Sequence, residues 1–135
     1  MKNFFLSLLA AGLFFSACNN SSATSAGNAE NAPVMKFEKG TQDFGKIKMG
    51  DKVTYDFKFT NTGKSPLIIT DGYASCGCTK PEWPKTPVKP GDSGIIHVTF
   101  NSAGKNGLQD KLITITANTV PPQNQVHLIG EVITH

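Results

Sequence analysis

Two cysteines one residue apart, Cys76 and Cys78 on either side of Gly77, are the residues whose type and spacing could do chemistry. The glycine lets the backbone bend until the two Cα atoms come within the limit of about 7 Å for a disulfide. The third cysteine, Cys18, ends an apolar leader and is assigned below to a lipid. That leaves Cys76 and Cys78 as each other's partner in an oxidising compartment. Three uses stay open for them. A disulfide there is a local clip that shapes the loop after Ile69, and so small a loop adds little stability. It is also a candidate thiol–disulfide site, with Cys76 or Cys78 as attacking thiolate and Lys80 lowering the thiolate pKa if it lies close. No thioredoxin-like βαβ pattern surrounds it. As a soft-metal site for Cu(I) or Zn(II), the pair needs a further ligand from His97 or His127.

The other chemically capable residues form no catalytic set. His97 alternates with Ile96 and Val98, His127 alternates with its apolar neighbours in the same way, and His135 is the last residue, so all three read as surface histidines. Trp83, in Pro81-Glu82-Trp83-Pro84, is either a cover over an open end of the domain or an aromatic anchor for a partner. Glu82 and Asp71 have no spacing suited to acid–base work. The serines lack a nucleophile elbow, and Ser102-Ala103-Gly104-Lys105-Asn106-Gly107 reads as a hairpin turn rather than a phosphate loop. An enzyme is not expected, nor is a cofactor.

Upstream, Met1-Lys2-Asn3 is a short positive start, followed by the apolar run Phe4–Phe15 and then Ser16-Ala17-Cys18. A spanning helix needs about 20 apolar residues, so this shorter run that ends in small residues reads as a cleaved export signal over 1–17. Phe15-Ser16-Ala17-Cys18 resembles a bacterial lipobox, with Phe15 where leucine is usual, which implies acylation of Cys18. Two or more acyl chains anchor stably at about 0.8 kcal/mol per buried CH₂. The small polar residues that follow cannot bury enough apolar area to order themselves, so 18–33 reads as a flexible tether. Its reach is on the order of 20 Å, from roughly 5–6 Å × √n.

Charge excludes one class of partner. The thirteen basic residues are all lysines, spread singly, and the net charge of +3 drops by one when Lys2 leaves with the leader. A nucleic-acid surface needs clustered basic residues, with arginine for bidentate contacts. Nucleic acid is therefore not an expected partner.

The elements that must position Cys76 and Cys78 are strands. Val53, Tyr55, Phe57 and Phe59 share one face of a run whose other face is Thr54, Asp56, Lys58 and Thr60. Similar runs occur at Met35–Glu38, Thr41–Phe44, Leu67–Thr70, Ile95–Phe100, Leu112–Ala117 and Val126–Val132, while Pro81, Pro84, Pro87 and Pro90 keep the stretch after the cysteines irregular. About seven short strands with turn signals between them predict an all-β, two-sheet antiparallel immunoglobulin-like sandwich over 34–135. Its expected core is Phe37, Tyr55, Phe57, Phe59, Phe100, Ile113, Ile115, Leu128 and Val132.

The order Asn61-Thr62-Gly63-Lys64-Ser65-Pro66-Leu67, Ser75-Cys76-Gly77-Cys78-Thr79 and Pro90-Gly91-Asp92-Ser93-Gly94 resembles the domain-of-unknown-function fifteen-seventy-three family over Met35 to Ile133. The resemblance implies an exported, often lipidated, immunoglobulin-like domain of a kind common in Bacteroidetes, with no established activity. Surface-export signals in related lipoproteins tend to be acidic after the cysteine, and no acid precedes Glu30, so the periplasmic side is expected. The expected function is a non-catalytic binding or scaffold module, held to a membrane by its N-terminal lipid and engaging an envelope protein. The alternative is thiol-redox or copper handling at Cys76 and Cys78.

Overall fold

The computed structural model describes residues 29–134; the leader, Cys18 and His135 lie outside the described residues. Among the described residues there are eight strands and no helix: β1 (Met35–Phe37), β2 (Thr41–Lys48), β3 (Lys52–Asn61), β4 (Ile69–Ala74), β5 (Thr79–Glu82), β6 (Ser93–Asn101), β7 (Gly107–Ala117) and β8 (Gln123–Ile133). They form two four-stranded sheets, β1-β3-β6-β5 and β2-β8-β7-β4, called sheet A and sheet B below. The immunoglobulin-like sandwich is the observed architecture.

Period-2 alternation does what elementary sheet geometry requires. Phe57 and Phe59 on β3, Ile96, Val98 and Phe100 on β6, Ile113 and Ile115 on β7, and Val126, Leu128 and Val132 on β8 are all buried between the sheets. Each such side chain contributes about 1.5–3 kcal/mol through removal from water. Phe37 and Tyr55, also expected inside, are only partly buried and pack against this core. Leu67 and Val88 join it from outside the strands, paired by an isolated bridge.

Five expectations are corrected. The strands number eight rather than about seven, because the proline-rich stretch contributes β5, with Pro81 opposite Val98. An edge strand tolerates the missing proline N–H, and β5 is the edge of sheet A. The sandwich is not wholly antiparallel, since β2 pairs parallel with β8. The piece expected to close at Phe44 runs on to Lys48 through a register shift between Asp43 and Lys46, where Gly45 takes a φ of 75°. That left-handed backbone favours glycine. Finally, Ser102–Asn106 is not a hairpin: β6 lies in sheet A and β7 in sheet B, so this segment crosses between sheets. Two pieces of the expected strand Leu67–Thr70 also separate, with Leu67 bridging Val88 and β4 starting at Ile69.

The sandwich has two distinct ends. At one, Met35 pairs with Asn61 and the Ser65 hydroxyl donates to the Asn31 carbonyl, so the chain enters there. At the other, Lys52 pairs with Asn101 and the Asn101 N–H donates to the Cys78 carbonyl at 2.9 Å. The ten residues of β3 separate the ends by roughly 30 Å, at about 3.4 Å per residue.

Candidate functional site

The loop Ser75–Cys78 joins β4, an edge of sheet B, to β5, an edge of sheet A. Both flanks are pinned. The Ser75 N–H donates to the Leu112 carbonyl at 2.9 Å, and the Asn101 N–H holds the Cys78 carbonyl. Between these pins Cys76 and Cys78 form a disulfide with Cα atoms 5.3 Å apart, inside the range such bonds require. Gly77 is exposed, and a side chain there would project into open space. Both cysteines are half-buried, Cys78 packing against the core.

Thr79, the first residue of β5, is buried, and its hydroxyl lies 3.6 Å from Cys76 Sγ and 3.8 Å from Cys78 Sγ. A disulfide sulfur has no proton to give, so the hydroxyl is the donor. Cys78 and Gly77 open onto a hollow of about 440 Å³ that Lys52, Lys80, Glu82, Thr99, Asn101 and Ala103 complete. Lys80 pairs with Glu82 at 3.5 Å, both well exposed. Lys111 precedes Leu112, the β7 residue that Ser75 touches, and reaches over the Phe100 ring at 5.5 Å. Its ammonium is pushed below the usual lysine value, first by burial and then by Lys105, with Asp110 acting in the opposite sense.

The histidines are elsewhere. His97 pairs with Asp56 across β3 and β6, and His127 Nδ1 lies 2.7 Å from Asp110 Oδ1 on β7. His97 sits opposite Glu82, at the far end of β5 from Cys78. Among the described residues no three His, Cys, Asp or Glu side chains gather as a metal-binding group, so the structure does not bring His97 or His127 to the cysteines.

Trp83 is half-buried and lies over Gly72 of β4, where a Cβ would stand 2.8 Å from the indole. It thus closes the side of the sandwich between the β4 and β5 edges, while Lys85 Nζ stacks 3.4 Å from its ring centroid. The apolar area left for a partner is elsewhere. On the outer side of sheet B, Leu108 is 86% exposed and Tyr73 53%. Leu108 and Ile129 line an open hollow of about 410 Å³ with Asp43, Lys46 and Glu131. Both outer sides carry cross-strand polar pairs, Lys58–Glu38, His97–Asp56 and Thr60–Ser93 on sheet A and Lys46–Glu131 and His127–Asp110 on sheet B, and sheet A also leaves Ile95 exposed. Sequence reading singled out neither Leu108 nor Tyr73, nor a role for Thr79 or Lys111. Thr79 was the readable one, being adjacent to the motif.

A two-sheet sandwich with a disulfide-closed loop between its edge strands is the class that fold and site define. Within that class, residues 35–132 match the family described as protein of unknown function (DUF1573), and the chain belongs to it. A protein of unknown function from Porphyromonas gingivalis W83 is similar at 19% identity with a TM-score of 0.68, over 81% of this chain and 51% of that one. This chain therefore spans about half of the Porphyromonas protein. The ASH/PapD-like domain 7 of human CEP192 matches with a TM-score of 0.57 and 8% identity, over 99% of both chains. The Pseudomonas aeruginosa CupB2 chaperone matches with a TM-score of 0.52 and 11% identity, over 71% of this chain and 54% of its own. At these identities the likeness is one of fold. No curated protein matches the chain.

Proposed function

We propose that the protein is an envelope lipoprotein, anchored through Cys18 and facing the periplasm, whose sandwich is a non-catalytic binding module for another envelope protein. The observation that carries the binding reading is the open hollow on the outer side of sheet B, lined by the exposed Leu108 and by Ile129. Leu108, at 86%, is the most exposed large apolar side chain among the described residues, and Tyr73 on the same face is 53% exposed. An exposed apolar side chain at the rim of an open hollow is a feature that an interaction surface uses. The anchoring half rests on the Ser16-Ala17-Cys18 pattern behind an apolar leader.

Two measurements test the halves separately. Intact mass of protein extracted from membranes is expected to show acyl chains on Cys18, and Cys18→Ser is expected to leave the membrane fraction. An unmodified mass from the membrane overturns the anchor. For the binding half, crosslinking in intact cells is expected to give a discrete heteromeric adduct. That adduct is expected to weaken at least about tenfold in Leu108→Lys, the effect of losing about 1.4 kcal/mol of contact. An adduct indifferent to Leu108→Lys and Tyr73→Lys overturns sheet B as the surface.

A further inference from the structure

We propose that Cys76–Cys78 is an exchange-active disulfide that accepts two electrons from a dithiol, with Thr79 as the residue that holds the departing thiolate. This goes beyond the binding role, needs no partner identified there, and is tested on the purified chain alone.

Three observations converge on the loop. The flanks are fixed by the Ser75–Leu112 and Asn101–Cys78 backbone bonds, so the loop is held open between two edge strands rather than buried under them. Cys78 lines a solvent-open hollow with Lys52, Lys80 and Glu82; Glu82 pairs with Lys80, and Lys52 is the cation there that draws in a thiolate and favours the anionic form of a cysteine. The buried Thr79 hydroxyl lies within hydrogen-bonding reach of both sulfurs, so whichever sulfur leaves has a donor already in place. Exchange is faster the better the leaving thiolate is stabilised.

The steps balance. One thiol of the dithiol, as thiolate, attacks Cys78 Sγ from the hollow. The Cys76–Cys78 bond breaks, a mixed disulfide forms, and Cys76 departs as a thiolate that accepts the Thr79 hydrogen bond and then takes up a proton from solvent, replacing the one the attacking thiol released. The second thiolate of the dithiol attacks its own partner sulfur in the mixed disulfide. A disulfide forms in the substrate, and Cys78 departs as a thiolate and is protonated in turn. The dithiol is oxidised by two electrons, the loop is reduced by two, and two protons pass between them.

The test follows reduction of the oxidised full chain by dithiothreitol, with alkylation and mass as readout. The reference is an oxidised synthetic peptide of residues 75–80. The chain is expected to react at least about tenfold faster than the peptide, and Thr79→Val is expected to remove about tenfold, the loss that follows from one charge-assisted hydrogen bond of about 1.4 kcal/mol. Thr79→Ser, which keeps the hydroxyl, is expected to stay within about threefold of the parent. A chain no faster than the peptide overturns the proposal. So does a folded Thr79→Val variant that reacts at the parental rate. Should Thr79→Val fail to fold, the peptide comparison decides by itself.

Discussion

The two ends of the sandwich are closed by different means. Where the chain enters, the buried Asn61 side chain ties four backbone groups together. Its amide donates to the Ser65 and Val88 carbonyls at 2.8 and 2.9 Å, and its oxygen accepts from the Val34 and Gly63 N–H groups at 3.3 and 3.0 Å. At the far end the closure is covalent but local, the Cys76–Cys78 bond spanning one residue. Beside it, the buried Ser102 hydroxyl meets the Asp51 and Lys48 carbonyls at 2.7 and 3.1 Å. Asn61 joins segments 27 residues apart, whereas the disulfide joins residues already neighbours in the chain. The non-covalent hub is therefore expected to matter more for stability than the covalent bond, and that frees the bond for chemistry.

The largest effect is expected at Asn61. Asn61→Ala leaves buried donors and acceptors without partners and is expected to lower unfolding free energy by about 3 kcal/mol, read from urea titration. Reducing the disulfide, or replacing both cysteines by serine, is expected to cost less, about 1.6 kcal/mol from the chain-entropy relation for a three-residue loop. If reduction destabilises as much as Asn61→Ala, the comparison fails and the loop is a structural clip. Ser102→Ala is expected to cost about 1 kcal/mol, since one hydroxyl is lost and water can reach the loop carbonyls.

The smallest effect concerns Lys111. Its folded-state pKa lies below the unfolded value, so between the two the unfolded chain binds more protons and stability rises with pH. Below the folded-state value the full penalty of the partly buried ammonium persists. Stability is therefore expected to climb on the alkaline side as Lys111 loses its proton, and Lys111→Met is expected to flatten that rise. A Lys111→Met titration parallel to the parent's would remove Lys111 as its source.

How much was legible follows from chain distance. The alternation of Val53, Tyr55, Phe57 and Phe59 is a property of consecutive residues, so β3 and its buried face could be read directly. Cys76 and Cys78 were readable as a pair for the same reason. Phe37 and Tyr55 were expected inside and lie only partly so, because β1 is three residues long and leaves its side of sheet A thinly covered.

The sequence by itself determined most of the strands, the sandwich class, the family and the pairing of Cys76 with Cys78, because each rests on local periodicity, on motif order or on neighbouring residues. Tertiary structure alone decided that β2 runs parallel to β8, that Ser102–Asn106 crosses between sheets, and that Asn61 is a hub. It also decided that Lys52 shares a hollow with Cys78 and that Leu108 stands in water. The physical reason is that these depend on which distant strands pair. Pairing is set by the joint burial of both sheets' inner faces, and no window of a few residues contains it.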